Sequence, residues 1–501
     1  MEKITKILMA NRGEISRRVQ STCRELGIKM VAIYSEGEES LPHATEADQA
    51  FSLGSGPLSE TYLNQKKIID LALKTGCQAI HPGYGFLSEN SSFTKACKAA
   101  GLIFIGPTPE VMELMGDKQS SKKKMEEIQV PLIPGYHGDR QEPEFLKDQA
   151  KKIGFPVLIK ASAGGGGKGM RIVLKEADFS SALDGARREA MNAFGDDKVL
   201  IEKYLLNPRH IEIQVFSDSH GNHLHLFERE CSIQRRYQKI VEESPSPALN
   251  AELRQKMTAT ATKITSALGY LGAGTLEFML DEFGNYYFLE MNTRLQVEHP
   301  VTEMITGLDL VAWQILVAEG KPLPLKQEQI MSRGHGMEVR LYAEDPDQEF
   351  LPSTGTIKAF GDSELRDWRL DTGYRSGNEV STQFDPMIAK LIVWGEDRER
   401  ARHKLIQLLK QIGPVGLVTN RHYLARILQH PAFIDGATTT DFVVKHKDSL
   451  KRSPPTDEAQ ARALALALLS PEQKTIGAIM NSSNVSGAWD QLSGFRMGGR
   501  L

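Results

Sequence analysis

Four consecutive glycines, Gly164–Gly167, constrain this chain more than any other segment. A dinucleotide-binding loop needs a helix directly after its glycines, because the helix N-terminus holds the pyrophosphate. Here the run MRIVL follows, and its alternation and β-branching predict a strand instead. A P-loop is excluded as well, since Lys168 is followed by Gly169 and not by Ser or Thr.

The glycines are therefore predicted to form a mobile hairpin loop between the strands FPVLIKA and MRIVLK. Without Cβ atoms, the backbone N–H groups of residues such as Gly166 and Gly167 can close over phosphates. Lys160, at the end of the first strand, would add a compact cation. The alternative is a flexible surface loop that binds no ligand.

Alternating polar residues mark a second segment, Glu290–Glu298. If this run is extended, a period of two places its polar side chains on one face of a strand. That face would carry two carboxylates, two amides and one guanidinium, from Glu290, Asn292, Arg294, Gln296 and Glu298.

The preceding strand, GTLEFML, brings a further carboxylate to this face. If Phe283-Gly284 form a two-residue turn, the register places Glu277 opposite Glu290. Two carboxylates directly opposite each other repel, and a divalent cation would turn that conflict into a binding site. Oxygen ligands close to a polyphosphate suit Mg²⁺. A salt-bridged surface hairpin remains the alternative.

The length of 501 residues allows roughly three domains of about 100–200 residues each. The first ~115 residues alternate strand and helix, which predicts βαβ units and a parallel sheet. The formal net charge of −3 gives no general field to attract nucleic acid or an anionic membrane. Any anionic substrate must therefore be held by local clusters.

The four cysteines form no CxxC pair, which argues against disulfides and structural zinc and suits a reducing compartment. The chain opens with MEKITKILMANRGE, and no signal or transit pattern is visible there. The longest apolar run, Ala463–Leu469, is too short to cross a bilayer. A cytoplasmic enzyme without a membrane partner is expected.

Several strings together resemble the biotin carboxylase family of ATP-grasp enzymes over about residues 3–447. They are HPGYGFLSEN (81–90), MGDK (115–118), IKASAGGGGKGM (159–170), EKYLLNPRHIEIQV (202–215), CSIQRRYQK (231–239), EMNTRLQVEHPVTEMITG (290–307) and RLYAEDP (340–346). Beyond residue 340 the chain looks most like the biotin-containing subunits of acyl-CoA carboxylases, especially the 3-methylcrotonyl-CoA type.

The resemblance implies an α/β (α+β) fold in four parts. These are a Rossmann-like N-terminal domain (1–114), an ATP-grasp domain (115–333) with a mobile lid (about 131–205), a mixed C-terminal carboxylase domain (334–447), and a helical linker with the truncated start of a docking domain (448–501). The implied reaction is MgATP-dependent activation of bicarbonate to carboxyphosphate, followed by carboxylation of biotin.

The resemblance also assigns site residues. It implies nucleotide binding by Lys118, Lys160, Gly166, Gly167, Glu202, Lys203, Leu205, His210, Gln234 and Tyr237, the last of which stands where many relatives have His. It implies Mg²⁺ (or Mn²⁺) binding by Glu277, Glu290 and Asn292, and bicarbonate binding by Lys239, Arg294, Gln296 and Val297. Glu298 would be the general base, Arg340 would meet biotin, and Tyr84 and Gly85 would lie near the biotin pocket.

The implied partners are a biotin carrier domain, a carboxyltransferase subunit and further subunits in a homo- or hetero-oligomer. No Ala-Met-Lys-Met carrier tetrapeptide occurs in the sequence, and residues 487–497 resemble an interrupted docking domain, as in a truncated chain or a piece of a longer gene product. Two rival functions remain open. One is a carbamoyl-phosphate-synthetase-like ligase, and the other is a nucleotide-binding scaffold without turnover.

Overall fold

The computed structural model describes residues 3–162, 170–235, 238–361 and 365–452. Residues Met1–Leu450 form one compact unit, and Lys451–Leu501 form a second. Nearly all of the second unit lies outside the described ranges, including the predicted helix after Thr456 and the docking-domain-like segment at 487–497.

The N-terminal part is a five-stranded parallel sheet in the order β3-β2-β1-β4-β5, covered by helices. Its elements are β1 (Lys6–Met9), α1 (Gly13–Glu25), β2 (Lys29–Tyr34), α2 (Pro42–Thr45), β3 (Gln49–Ser52), α3 (Gln65–Lys74), β4 (Ala79–His81), α4 (Ser91–Ala99) and β5 (Ile103–Phe104). Apolar side chains of the strands are buried on both faces, as expected for a parallel sheet between helices. The predicted βαβ architecture is confirmed.

Two helices lead into a small antiparallel sheet in the order β6-β9-β7-β8. The elements are α5 (Pro109–Gly116), α6 (Lys118–Glu127), β6 (Gly135–Tyr136), α7 (Pro143–Ile153), β7 (Val157–Ala161), β8 (Arg171–Val173), α8 (Phe179–Phe194) and β9 (Val199–Lys203). Because β7 and β8 pair antiparallel, the glycine run joins the two strands of a hairpin, as predicted. Residues 163–169 themselves are outside the described ranges.

An eight-stranded antiparallel sheet forms the centre of the compact unit, in the order β14-β13-β10-β11-β12-β15-β22-β20. Its first part comprises β10 (Arg209–Ser217), β11 (His223–Arg235), β12 (Gln238–Ser244), α9 (Ala251–Leu268), β13 (Gly272–Leu280), β14 (Tyr286–Asn292), α10 (His299–Thr306) and α11 (Leu310–Ala318). The sheet collects residues that are far apart in the sequence, and it carries most of the site described below.

The C-terminal part continues the same sheet. Its elements are β15 (His335–Tyr342), β16 (Glu344–Asp345), β17 (Leu351–Pro352), β18 (Gly355–Thr356), β19 (Ala359–Phe360), β20 (Trp368–Thr372), β21 (Glu379–Val380), β22 (Met387–Gly395), α12 (Arg398–Gln411), β23 (Pro414–Val415), α13 (Arg421–Gln429), α14 (Pro431–Ile434) and α15 (Phe442–Lys445). Strand β15 pairs with β12 on one side and β22 on the other. The strands on either side of the expected domain boundary at residue 333/334 are therefore hydrogen-bonded to each other in one sheet.

The β13–β14 hairpin corrects one sequence prediction and confirms another. The predicted two-residue turn at Phe283-Gly284 is wrong, because the N–H of Asp281 bonds to the carbonyl of Asn285 and Leu280 pairs with Tyr286. The predicted pairing of Glu277 with Glu290 is nevertheless present. A register shift after Glu277 compensates for the longer turn, since a bulge moves the pairing by one residue.

The extended conformation predicted for the whole run from Glu290 to Glu298 is wrong beyond Asn292, where β14 ends. The next residues form a loop, and Glu298 is the N-cap of α10, which has Pro300 in its first turn. Arg294 and Gln296 therefore lie in a loop, and Glu298 lies at the start of a helix.

Among the described helices, no single one is long and apolar enough to span a membrane; α10 and α11 pass that test only as a pair, bent by 98°. All four cysteines are buried and free.

Candidate active site

The ammonium group of Lys239 lies among three buried carboxylates. Its Nζ donates to Glu277 Oε1 at 2.9 Å and to Glu298 Oε1 at 2.8 Å, and it also contacts Glu212. We call these four residues the Lys239 cluster. Burial disfavours the charged lysine, but the three carboxylates outweigh that effect and raise its pKa above the ordinary value. The cluster therefore holds a permanent cation.

Strand pairing explains how this cluster forms. Lys239 projects from β12 and Glu212 from β10, where Glu212 pairs directly with Glu277 on β13. Arg229, on β11, forms an ion pair with Glu212 at 3.0 Å. Two groups of described residues bring potential metal ligands within 4.8 Å of one another: His210, Glu212 and Glu277, and Glu212, Cys231 and Glu298. In both groups Lys239 already supplies the positive charge that these carboxylates need.

A more suitable donor set for a divalent cation lies beside this cluster, at Glu277, Glu290 and Asn292. Burial, and then the charge of Glu277, raise the pKa of the Glu290 carboxyl. The charge of Lys118 acts in the opposite direction on this carboxyl and lowers its pKa. Asn292 Nδ2 donates to Glu277 Oε1 at 2.7 Å. These oxygen donors fit Mg²⁺, which would relieve the repulsion between the two carboxylates.

Arg294 is held by oxygen acceptors on three sides. Its Nη2 donates to Asn292 Oδ1, its Nη1 to Gln296 Oε1 and its Nε to Glu89 Oε2, each at 3.0 Å. Gln296 Nε2 in turn donates to Glu277 Oε1 at 3.2 Å. The guanidinium is thus oriented beside the proposed metal donors, where a planar donor group can bind a small oxyanion.

Arg340 connects Glu298 with a further buried carboxylate. Its Nη2 donates to Glu298 Oε2 at 2.9 Å, and its Nε donates to Glu242 Oε1 at 2.6 Å. Burial and the charge of Glu212 act to raise the pKa of Glu298, but Lys239 and Arg340 outweigh them and lower it. Glu298 is therefore ionised near neutral pH and able to accept a proton.

A second group of charges lies where the small sheet meets α6. Lys160 on β7 and Lys122 on α6 both form ion pairs with Glu202 on β9, which is 1% exposed. Burial, followed by repulsion from Lys118, lowers the pKa of Lys160 to about 8. Lys118, Lys122 and Lys160 form a cluster of positive charge close to Glu290, which we call the basic wall. Such a cluster is expected at a site that receives phosphates.

His210 lies beside the Lys239 cluster. Its Nε2 lies 3.1 Å from Glu277 Oε2, and its Nδ1 lies 2.9 Å from Gln234 Nε2. Burial opposes the charged ring, but Glu277 and Glu212 outweigh burial and raise the pKa of His210 to about 9.

Lys203 and Leu205 follow at the end of β9. Lys203 Nζ donates to the carbonyls of Gly154 at 2.8 Å and Phe155 at 3.1 Å, so its ammonium is engaged by the α7–β7 loop. Leu205 is half-buried directly after the strand.

Tyr84 and Gly85 lie in the loop after β4. The Tyr84 hydroxyl donates to Glu14, and the Tyr84 carbonyl accepts from Asn11 Nδ2 at 2.7 Å. Gly85 adopts a φ of 67°, in the left-handed region that favours glycine. Glu14 lies 3.2 Å from Lys390 Nζ, which donates to the Val297 carbonyl at 2.8 Å. This loop is therefore connected to the segment that carries Val297.

Most of the sequence-predicted residues thus meet around the eight-stranded sheet. Lys203 and Leu205 lie at the end of β9 in the small sheet, and Gly166, Gly167 and Tyr237 are outside the described ranges. Sequence reasoning missed several charged residues that complete the site, namely Glu89, Lys122, Glu212, Arg229, Glu242 and Lys390. One signal was available for Glu212, because it alternates with apolar residues in HIEIQVF. The others gain their importance from partners that are distant in the sequence.

Comparisons with known proteins agree with this geometry. Three family models match: "Biotin carboxylase, N-terminal domain" over 3–112, "Carbamoyl-phosphate synthase L chain, ATP binding domain" over 117–326, and "Biotin carboxylase C-terminal domain" over 338–445. The chain is 50% identical to the alpha subunit of mitochondrial methylcrotonoyl-CoA carboxylase from Dictyostelium discoideum, covering all of this chain and 72% of that subunit. It is 48% identical to biotin carboxylase 2 of Bacillus subtilis, over 88% of this chain and 99% of that one.

Solved structures give the same result. The biotin carboxylase domain dimer of Hydrogenobacter thermophilus 2-oxoglutarate carboxylase, in complex with MgADP, ADP and bicarbonate, superposes with a TM-score of 0.87 at 46% identity, covering 91% of this chain and 100% of that one. A biotin carboxylase from Campylobacter jejuni superposes with a TM-score of 0.86 at 44% identity, covering 89% and 99%.

Fold and site together define an ATP-grasp enzyme, an ATP-dependent ligase. The chain belongs to the biotin carboxylase family. Its reaction is the ATP-dependent activation of bicarbonate and the carboxylation of biotin, and the predicted cofactors, ATP, Mg²⁺ and biotin, are confirmed.

Proposed function

We propose that the Lys239 cluster, with Arg294 and Arg340, is where this chain activates bicarbonate and passes its carboxyl group to biotin. The observation that carries the proposal is Glu298, a fully buried carboxylate hydrogen-bonded to Lys239 on one side and to Arg340 on the other. A base between two cations suits a reaction with two requirements. Bicarbonate must lose a proton, and negative charge must then develop on a neighbouring oxygen atom of biotin.

In the first step, Lys239, Arg294, Gln296 and Val297 hold bicarbonate. Glu298 removes its proton as the bicarbonate oxygen attacks the γ-phosphorus of ATP, so that carboxyphosphate forms and ADP leaves. Phosphoryl transfer depends on positioning and charge neutralisation more than on covalent help from the protein. The negative net charge of the chain requires such a local cation cluster.

The nucleotide lies along Lys118 and Lys160 of the basic wall in this proposal. It contacts Lys118, Lys160, Glu202, Lys203, Leu205, His210, Gln234 and Tyr237, and Gly166 and Gly167 close over the phosphates. Glu277, Glu290 and Asn292 would hold Mg²⁺, which would neutralise negative charge on the phosphates. The Lys203 ammonium donates to two carbonyls of the α7–β7 loop, and the backbone N–H of Lys203 donates to the Pro134 carbonyl.

In the second step, carboxyphosphate releases CO₂, and the departing phosphate takes the proton from the biotin ureido nitrogen. Arg340 stabilises the resulting enolate oxygen, with Tyr84 and Gly85 beside the biotin pocket. Two N–H groups of Arg340 are directed by Glu242 and Glu298, which fixes the plane of the guanidinium. A preorganised donor of this kind costs little reorganisation during the reaction.

The reaction serves as the first half-reaction of an acyl-CoA carboxylase of the methylcrotonoyl-CoA type, and a carrier domain and a carboxyltransferase subunit are its partners. The similarity to carboxylase alpha subunits supports this proposal.

The domain limits proposed are 1–114, 115–333 and 334–447, followed by a tail at 448–501. The alpha-subunit relatives are named as mitochondrial and others are bacterial, and a cytoplasmic location remains part of the proposal.

Bicarbonate-dependent release of ADP, measured with and without free biotin, tests the function. We expect biotin to stimulate ADP release and carboxybiotin to form, because the biotin step consumes the activated intermediate. A carbamoyl-phosphate-synthetase-like ligase would not respond to biotin, and a scaffold would release no ADP. Either result would contradict the proposal.

We also predict that these 501 residues carry no covalent biotin, since they contain no Ala-Met-Lys-Met tetrapeptide. After co-expression with an active biotin ligase, an avidin blot should be negative, and acyl-CoA carboxylation should require an added carrier and carboxyltransferase. A known biotin carrier expressed in the same cells is the positive control. A biotinylated chain, or acyl-CoA carboxylation without a carrier, would disprove the prediction.

A further inference from the structure

Helix α6 carries lysines that the proposed mechanism does not use. Lys122, Lys123 and Lys124 follow Lys118 within two turns of the helix. Lys123 is exposed, and Lys124 pairs with Glu127 at 3.3 Å. Lys122 differs from both, because it is 5% exposed and, with Ser121 and Met125, forms the inner face of the helix. A buried lysine needs a specific partner.

That partner is Glu202, the carboxylate that Lys160 also contacts. Lys122 contacts Oε1 of Glu202 and Lys160 contacts Oε2. Three separate elements, α6, β7 and β9, thus place one buried carboxylate between two ammonium groups. Since Lys160 is the lysine assigned to the phosphates, its contact with Glu202 competes with that assignment.

We propose that Lys122 is a positioning residue that stays paired with Glu202 and so frees Lys160 to bind the nucleotide phosphates. This inference rests on the proposed role of Lys160. Without Lys122, the departure of Lys160 would leave Glu202 as an unpaired buried charge, which is strongly unfavourable. With Lys122 in place, Glu202 keeps a counter-ion in both states, and Lys160 can turn to the ligand.

The charges around Lys122 support these separate roles of Lys122 and Lys160. Burial, then repulsion from Lys160 and Lys118, lowers the pKa of Lys122, whereas Glu126 and Glu290 act in the opposite direction. The carboxylate that Lys122 contacts directly is Glu202, so this ion pair is the contact that offsets the burial of its ammonium group.

A double-mutant cycle on MgADP affinity, measured by titration calorimetry in the absence of bicarbonate, tests the inference. Lys122→Met should weaken binding by roughly tenfold or more, because Lys160 is then retained by Glu202. In a Glu202→Gln background the same substitution should change affinity by less than about threefold, because no buried carboxylate competes for Lys160. Lys122→Arg should bind MgADP more tightly than Lys122→Met, since arginine keeps a positive charge that can pair with Glu202.

Lys123→Met is the matched control, because it removes the same charge from the exposed side of the same helix, and its affinity should be unchanged. Equal weakening by Lys122→Met in both backgrounds would overturn the inference and place Lys122 directly on the phosphates. An unchanged affinity for Lys122→Met would also overturn it. Absence of MgADP binding by the wild type would contradict the proposed function itself, and thermal midpoints of all variants identify any loss of folding.

Discussion

Glu298→Gln should abolish bicarbonate-dependent ATP cleavage while MgATP still binds. We expect kcat to fall by roughly 10²–10⁴-fold, the usual contribution of a general base. Glutamine keeps the size of the side chain and a hydrogen bond to Lys239 or Arg340, but it cannot accept the bicarbonate proton. Glu298 is not part of the proposed metal donor set, so nucleotide affinity should stay near the wild-type value. Titration of MgATP binding and measurement of ADP release separate the two effects.

Glu290→Gln serves as the contrasting variant, because it removes a carboxylate at the metal site and leaves the base in place. It should lose Mg²⁺-dependent nucleotide affinity, with the remaining turnover still dependent on bicarbonate. A Glu298→Gln enzyme with near wild-type turnover would exclude Glu298 as the base. Loss of nucleotide affinity in that variant would show that Glu298 acts on the nucleotide side of the site.

Arg340→Ala should lose the carboxylation of biotin by roughly 10²–10³-fold, as is usual when one oxyanion donor is removed. Bicarbonate-dependent ATP cleavage without biotin should persist, with a changed pH dependence. Arg340 helps to lower the pKa of Glu298, so its removal raises that pKa. A base must be ionised to act, and the variant should therefore lose ATP cleavage at the acid end of the pH range and recover it as the pH rises. Carboxybiotin formation and ADP release, both measured across pH, check this.

Arg340→Lys is the matched variant for this experiment. It keeps a positive charge beside Glu298, so the acid limb of ATP cleavage should stay close to that of the wild type. Lysine cannot reproduce the planar fork that Glu242 and Glu298 orient, and biotin carboxylation should remain impaired. Equal loss of both activities at every pH in Arg340→Ala would place Arg340 in the bicarbonate half-site or in the fold.

The β13–β14 hairpin shows how far sequence reasoning reaches here. Period-two alternation suffices to predict the strands and to place Glu277 opposite Glu290. The turn at Phe283-Gly284 and the bulge after Glu277 were not predictable, because loop length and bulge position depend on how both strands pack against the rest of the sheet. Two local errors cancelled, and the pairing that matters for the site was correct.

The partners of buried ion pairs could not be predicted from the sequence. Glu298 and Lys239 could be singled out from the resemblance, but the resemblance did not assign Glu242, the carboxylate that orients Arg340. Glu242 comes from β12 and Arg340 from β15, two strands that become neighbours only when the sheet assembles. Lys122 lies in a lysine-rich stretch, 118–124, yet that pattern alone does not distinguish it from the exposed Lys123.

The unbroken eight-stranded sheet has a consequence for recombination between related enzymes. The family matches end at residue 326 and resume at 338, which suggests a natural breakpoint for exchanging segments. A junction there would place β15 and β22 from one parent beside β12 from the other. The β12–β15 ladder and the hydrogen bonds from Arg340 to Glu242 and Glu298 would then join segments of different ancestry. Chimeras that exchange only the small sheet of β6 to β9 would leave the eight-stranded ladder intact. The two sides of the β12–β15 ladder must therefore be inherited together, whereas the small sheet can be exchanged without altering that ladder.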